Sequence, residues 1–248
     1  MKKTIKKIVN YLGYDIIQLG RKQLTIRDIF ISYFYKIPEN FFFVQIGSHD
    51  GKTKDPLYDF VTQHNLEGIL VEPQKGGVFE KLRYNYADCK KLTFANIALA
   101  ETDSQQSLYC VKESFQDAYD KYTKYDATGI ASFDRNHVRM HLKKNMPHFF
   151  KKHKVDNYIK VEIVEALSFD TFIRRFNIQR IDLLQIDVEG FDSKIIHMFN
   201  FNKFSPTLIN YESKHLPKTE RDKCEEFLQD KGYVLVKFRG GTCALKIR

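Results

Sequence analysis

Two apolar runs in the first third of the chain end in a glycine and in an acid. Residues 41–46 lead into a loop from Gly47 to Gly51, and residues 68–71 are followed by Glu72. Apolar runs of this kind are typical of parallel strands that are buried on both faces. A glycine after one strand lets a ligand approach the backbone, and an acid after the next strand can bind a ribose diol. We therefore expect a parallel sheet that holds a nucleoside-bearing cofactor.

Apolar runs continue to alternate with segments of helical periodicity along most of the chain. After the first two runs, we expect strands at residues 92–95, 161–164, 181–186 and 207–211. The last two runs, 233–238 and 242–247, flank Gly240-Gly241, which predicts an antiparallel hairpin. Asp55, followed by proline, and Ser168 are typical N-caps, so a helix should begin at each. The alternation predicts a doubly wound, mostly parallel α/β sheet.

The composition limits the class of protein and its partners. With 248 residues, of which 43% are hydrophobic, the chain can bury a full core. Its net charge of +9 indicates an anionic partner, such as nucleic acid, a nucleotide-sugar, a glycan phosphate or a lipid surface, or else a solvated basic face. The four cysteines show no paired spacing, which argues against a cysteine zinc site and favours a reducing cytoplasm. No stretch approaches the roughly 20 apolar residues that span a bilayer.

Residues 1–40 are predicted to form a helical extension, with a short second helix at 24–34. One face of the first helix would carry four apolar residues, Ile5, Ile8, Val9 and Leu12. We expect this face to pack on the body of the protein, and weak peripheral contact with the inner face of a membrane is the alternative. The lysines that precede it resemble the start of a signal peptide, but no small-residue cleavage site follows.

Residues 41–248 are then expected to form one α/β domain that contains a long insertion. The regular pattern is interrupted at residues 107–160, between the third and fourth strands, by an irregular segment with many aromatic and basic side chains. Such a long segment inside a compact domain is usually a lid or a substrate platform. We expect this segment, called the insertion below, to contact the substrate.

Polar residues at the ends of the predicted strands give the candidate site. They are Gly47–Asp50, Glu72, Asn96, Asp187 and Glu212. Parallel α/β sheets bind ligands at this edge, although carboxylates there also cap helices. The loop that follows the first strand is longer than a tight dinucleotide turn and lacks the third glycine of the Rossmann fingerprint. This argues against NAD.

Several short motifs in a fixed order resemble those of the FkbM family of S-adenosylmethionine-dependent methyltransferases. They are Gln45–Gly51, Asp55-Pro56, Val71–Pro73, Asn96–Leu99 and Ile186–Gly190. The resemblance covers roughly residues 41–216, and its specificity comes from the order of the motifs. It implies a class I methyltransferase fold with a Rossmann-like sheet of about seven strands, the last one antiparallel, and S-adenosylmethionine as the cofactor.

The resemblance also implies a role for individual positions. The loop with Gly47, Ser48 and Asp50 would pass under the methionine part of the cofactor, and Gln45 stands where the family usually has an aspartate. Further cofactor contacts are implied for the ribose at Glu72, for adenine at Asn96 and Ala98, and for the amino group or transfer centre at Asp187. Pro73 and the serine motif at Ser132 are also implied to contact the cofactor.

A hydroxyl acceptor must pass its proton to a neighbouring group during methyl transfer. The predicted catalytic candidates are Asp187, Glu189, Glu212 and His215, with His49 and His137 as further histidines to consider. The three acids among these candidates lie at neighbouring strand ends and offer oxygen ligands for a divalent ion. Helix capping and cofactor contacts explain the same acids, so we expect no metal.

The resemblance and the aromatic, basic insertion favour methyl transfer to a sugar hydroxyl of a glycan, a surface polysaccharide or a related precursor. Two alternatives remain open at this point. The positive charge favours an RNA or protein methyltransferase, although no separate nucleic-acid-binding module is recognisable. The departures at Gln45 and at Ser48-His49, where the family usually has Ala-Asn, favour a cofactor-binding module without turnover.

Overall fold

The computed structural model describes residues 25–35, 37–238 and 240–246 of the chain. The predicted helix that carries Ile5, Ile8, Val9 and Leu12 lies outside these residues. Within the described ranges, no helix combines the length and the apolar character that crossing a membrane requires.

The described residues contain one large and one small β-sheet. In chain order the strands are β1 Phe42–Ile46, β2 Glu67–Val71, β3 Leu92–Ala95, β4 Ala98–Leu99, β5 Ser104–Val111, β6 Ile159–Leu167, β7 Leu183–Ile186, β8 Leu208–Tyr211, β9 Tyr233–Phe238 and β10 Gly241–Lys246. The large sheet has seven strands in the order β3-β2-β1-β7-β8-β10-β9. Neighbours from β3 to β8 are parallel, whereas β10 is antiparallel to β8 and to β9. The predicted doubly wound mixed sheet with an antiparallel C-terminal hairpin is confirmed.

Helices pack on both faces of the large sheet. In chain order those of the described residues are α1 Ile26–Phe34, α2 Tyr58–His64, α3 Gly77–Asn85, α4 Glu113–Thr123, α5 Arg135–Asn145, α6 Pro147–Phe150, α7 Phe169–Arg175, α8 Asp192–Met198 and α9 Lys218–Asp230. Val44 of β1 belongs to a core that contains Phe172 of α7 and Leu228 of α9. Phe43, its neighbour in the strand, belongs to a second core with Phe30 of α1. Each strand needs apolar side chains on both faces because both faces are covered.

The insertion is folded, although its sequence shows no regular pattern of strands and helices. β5 and β6 pair antiparallel, and with β4 they form a three-stranded sheet in the order β4-β6-β5. Helices α4 to α6 and two 3₁₀ turns, Ala127–Ile130 and Val155–Tyr158, lie between β5 and β6. Their core includes Phe115, Tyr119 and Leu142, so many aromatic residues of the insertion serve packing. The predicted strand 161–164 is part of β6 and belongs to this second sheet.

The helix predicted to begin at Asp55 begins later, at Tyr58. Asp55 does accept a hydrogen bond from a backbone amide, that of Leu57, at 2.7 Å. Its second oxygen accepts from the Gln45 side chain at 2.8 Å. The residue therefore fixes the turn before α2 to the end of β1, and this second contact could not be read from the capping pattern.

Candidate active site

The carboxyl ends of four neighbouring strands of the large sheet open onto one cavity of about 670 Å³. Its lining includes Gly47 after β1, Glu72 after β2, Asp187 after β7 and Glu212 after β8. β1 and β7 lie side by side at the point where the order of the strands reverses, and open α/β sheets bind ligands there. The volume lies in the range of about 300–1,000 Å³ that is typical of small-molecule sites.

Most of the residues that were predicted to form the site line this cavity. They are Gln45, Gly47, Ser48, Glu72, Pro73, Ala98, Ser132, Asp187, Glu189, Glu212 and His215. Asp50 and Asn96 lie outside the lining. The Asn96 side chain donates to the carbonyls of Glu72 (2.8 Å) and Gln74 (3.1 Å), so it supports the loop after β2 from behind. Asp50 accepts from the amide of Thr53 at 2.7 Å and shapes its own loop.

Gly47 makes the sharp turn that carries the chain from β1 into the cavity. Its φ is +79°, and a Cβ atom at this position would lie 1.9 Å from the carbonyl oxygen of Asp187. Its amide donates to the carbonyl of Val71 at 2.9 Å, and so does that of Ser48 at 3.0 Å. The turn therefore passes directly over the ends of β2 and β7, which only a glycine permits.

Glu72 is 3% exposed and joins the loops that follow β1 and β2 at one end of the cavity. One carboxylate oxygen accepts from the amide of His49 at 2.8 Å, and the other accepts from the amide of Gln74 at 2.9 Å. Burial raises the pKa of Glu72, and these amides offset part of the rise. Each carboxylate oxygen has two lone pairs, so each can accept one more donor.

His49 connects the loop after β1 to the insertion. Its Nε2 lies 2.6 Å from the hydroxyl of Thr128, in the first 3₁₀ turn. Burial by itself would lower the pKa of His49, but its contact with Asp50 and the nearby carboxylates of Glu72 and Asp126 outweigh burial and raise it. The hydrogen bond to Thr128 holds one edge of the insertion against the cavity.

The variant His49→Asn should loosen the insertion without disturbing the loop, because asparagine tolerates the positive φ of 48° at this position. We expect amides 127–130 to exchange about 5-fold faster with deuterium, as loss of a hydrogen bond worth about 1 kcal/mol implies. Thr128→Val removes the same bond from the other side. If the effects of the two variants add in the double variant, the bond does not hold the insertion.

Gln45 supplies a buried acceptor at the end of β1. Its side chain is almost fully buried and donates to Asp55, which leaves its Oε1 without a hydrogen-bond partner. Burial raises the pKa of Asp55 to about 6, although the Gln45 amide opposes this rise. A free acceptor that is buried in the cavity wall is suited to a ligand that donates hydrogen bonds.

Four acids crowd together where β7 and β8 end. Asp187, Glu189 and Asp192 follow β7 within six residues, and Glu212 follows β8. Asp192 is fully buried and accepts from the amides of Gly190 (3.3 Å) and Glu212 (3.1 Å). Burial and the Glu212 carboxylate raise the pKa of Asp192 to about 7, and the pKa of Asp187 is raised by the same two causes. This edge of the cavity is rich in groups that can accept a proton.

Three histidines face these acids, two of them from the insertion. Nε2 of His137 lies 3.3 Å from Oε2 of Glu189, and Nε2 of His215 lies 3.6 Å from the same oxygen. His137 and His141 are one turn apart on α5, and their rings stack with centroids 4.4 Å apart. Burial lowers the pKa of His215 to about 4 and also lowers that of His141. The insertion and the large sheet thus meet at a cluster of imidazoles and carboxylates.

His141 was missed as a site residue, and His137 was only a secondary candidate. The one sequence signal was their spacing of four residues, which places two side chains on the same face of a helix. Lys144 and Asn145 of the same helix also line the cavity and were missed. The contacts of His137 with Glu189 and His215 could not be predicted, because these residues lie far apart along the chain.

A seven-stranded sheet with this strand order, one antiparallel strand and a ligand cavity at its switch point define a class I methyltransferase fold. The sequence model of the methyltransferase FkbM domain matches residues 45–235, which is more than half of the chain. The chain therefore belongs to the FkbM methyltransferase family. The resemblance inferred from the short motifs is confirmed.

Two solved structures are similar to the chain at low sequence identity. Methyltransferase FkbM from Methylobacillus flagellatus aligns with a TM-score of 0.45 and 12% identity, over 83% of this chain and 44% of its own. A precorrin-6y C5,15-methyltransferase from Geobacter metallireducens aligns with a TM-score of 0.43 and 11% identity, over 92% of each chain. This chain thus spans less than half of the first structure. A comparison with curated proteins found no match.

Proposed function

We propose that the protein is an S-adenosylmethionine-dependent O-methyltransferase that acts on a sugar hydroxyl of a glycan, a surface polysaccharide or a related precursor. The observation that carries this proposal is the convergence of Gly47, Glu72 and Asp187 on one cavity at the switch point of the sheet. Membership of the FkbM methyltransferase family supports it.

The residues of the cavity fit this cofactor in three respects. Glu72 lines the cavity, and both its oxygens retain a lone pair to which a ribose diol could donate. The unpartnered Oε1 of Gln45 could accept from the ammonium group of the methionine part. Pro73, Ile97 and Ala98 offer apolar lining for the adenine ring.

S-adenosylmethionine, when bound, supplies a methyl group that is already activated by a positive sulfur. The protein then has to hold the acceptor hydroxyl in line with that group, and positioning of this kind supplies much of the rate. The hydroxyl also loses a proton during transfer. We assign its acceptance to the set of groups at the ends of β7 and β8 that line the cavity, namely Asp187, Glu189, Glu212 and His215. Ser132 and Phe133 of the insertion would cover the reactants and limit access of water.

The acceptor is inferred to be anionic or to be carried by an anionic glycan. A second depression of about 420 Å³ on the insertion is lined largely by basic residues, Arg139, Lys143, Lys151, Lys152, His153 and Lys154 among them. The lysines and the arginine together would attract phosphate or carboxylate groups. The four cysteines are free and buried, which agrees with the proposed cytoplasmic location.

The basic depression also favours RNA as an alternative acceptor, and one experiment separates the two. Incubation of the purified protein with methyl-labelled S-adenosylmethionine and with glycan, RNA and protein fractions should place the label in the glycan fraction. If the label appears in RNA, and the affinity of the protein for RNA falls steeply with salt, the acceptor is RNA and the glycan proposal is wrong. Tight cofactor binding with no labelled fraction would favour a binding module without turnover.

A further inference from the structure

The histidines of the insertion and the acids of the large sheet form a set of metal ligands. His137, His141 and Glu189 each present one ligand atom within 4.8 Å of the others, and Glu189, Glu212 and His215 do the same. Glu189 belongs to both sets, so the two sets are halves of one cluster. Two imidazoles one helical turn apart on the same helix are a common arrangement in zinc sites.

The distances inside the cluster fit ligands around an ion better than direct ion pairs. Charge-assisted hydrogen bonds between a nitrogen and a carboxylate oxygen measure about 2.7–2.9 Å. Here Nε2 of His137 and Oε2 of Glu189 are 3.3 Å apart, and Nε2 of His215 lies 3.3 Å from Oε2 of Glu212. Ligands bound tetrahedrally at about 2.0–2.1 Å from a zinc ion are separated by about 3.3 Å.

The polar atoms at the centre of the cluster lack partners. Nε2 of His137, Oε2 of Glu189 and Oε2 of Glu212 are inaccessible to solvent and make no hydrogen bond. The other Glu212 oxygen is paired with Lys214, so Oε2 alone is left to bind something else. Buried polar atoms are almost always satisfied, so three unsatisfied ones within one cluster are suited to bind a cation.

We propose that His137, His141, Glu189 and His215, with Glu212 as a further ligand, bind one divalent transition-metal ion. Imidazole and carboxylate together favour zinc or another first-row transition metal over magnesium and calcium, which prefer oxygen ligands alone. We expected no metal from the sequence because only the carboxylates were considered as ligands. The structure adds the imidazoles of α5 to these carboxylates. The ion would fasten the insertion to the ends of β7 and β8. This inference is tested independently of the proposed methyl transfer, because ion binding is measured on the protein alone. With the ion bound, Asp187 is the member of the proposed proton-accepting set that is not a ligand.

The test is calorimetric titration of the untagged, EDTA-treated and dialysed protein with zinc, and separately with magnesium. We expect zinc to bind at one ion per chain and magnesium to give no measurable heat. Replacement of zinc by cobalt should produce the visible absorption of a cobalt ion bound by nitrogen and oxygen. Absence of zinc binding, or binding of magnesium with equal affinity, would overturn the proposal.

Variants locate the ion. His141→Ala and His215→Ala, one from each half of the cluster, should each weaken zinc binding by about 100-fold, since even supporting residues around metal ligands cost about 10–100-fold. The matched control is His148→Ala, an exposed histidine on α6 of the same insertion, which should bind zinc as the wild type does. If a histidine variant fails to fold, Glu189→Gln replaces it, as glutamine keeps the shape. Wild-type zinc affinity in either histidine variant, or an equal loss of zinc affinity in His148→Ala, would disprove the site.

Discussion

Replacing Glu72 by alanine should raise the dissociation constant for S-adenosylmethionine by about 10- to 100-fold, or about 1.4–2.8 kcal/mol. The loss has two sources. The variant removes the acceptor that we assign to the ribose hydroxyls, and it releases the amides of His49 and Gln74 that now bind the carboxylate. Calorimetry of cofactor binding measures the effect directly.

Two comparison variants make the result specific. Glu67→Ala changes an exposed acid at the opposite end of the same strand and should leave cofactor binding unchanged. Glu72→Gln keeps the shape and separates the charge from the hydrogen bonds, so we expect it to fall between the wild type and alanine. Unchanged cofactor affinity in Glu72→Ala would refute the ribose assignment.

Replacing Gly47 by alanine should destabilise the whole domain by about 3 kcal/mol or more and abolish cofactor binding. Positive φ costs a residue with a Cβ atom about 1–2 kcal/mol. The overlap with the Asp187 carbonyl, 1.9 Å from the new atom, forces the ends of β1 and β7 apart and adds the larger share. Urea unfolding followed by circular dichroism gives the free energy of unfolding.

Gly232 offers a control with nearly the same φ, +82°. A Cβ atom there would approach only the flexible end of Lys246, at 3.3 Å, and not a neighbouring strand. Gly232→Ala should therefore show the conformational cost alone, about 1–2 kcal/mol. If both variants lose the same stability, close packing of the turn against β7 is not what requires a glycine at position 47.

Where both faces of an element are covered, its sequence was enough to predict it. The runs that became β1 and β2 are apolar at successive positions because Val44 and Phe43 belong to cores on opposite faces. Glu72 was predictable for a related reason, since the residue that follows a buried strand stands at the edge where ligands bind. These parts depend on a local pattern and a general rule of topology.

The insertion was not predictable in the same way. Its strand β5 has a largely polar first half, Ser104–Ser107, so no apolar run or clean alternation marks it. The contacts of His137 with Glu189 and of His49 with Thr128 join residues 52 and 79 positions apart. Such pairs depend on how the insertion folds back on the sheet, which no local pattern encodes.

The position of His49 has a kinetic consequence. Its backbone amide binds the acid that we assign to the cofactor, and its ring binds the insertion that we assign to the acceptor. One residue therefore connects the proposed cofactor site to the proposed acceptor site. Binding of the cofactor should then order the acceptor site. We expect an ordered mechanism in which the acceptor binds only after S-adenosylmethionine, and the demethylated cofactor leaves last. Product inhibition by that demethylated cofactor should then be competitive against S-adenosylmethionine and non-competitive against the acceptor.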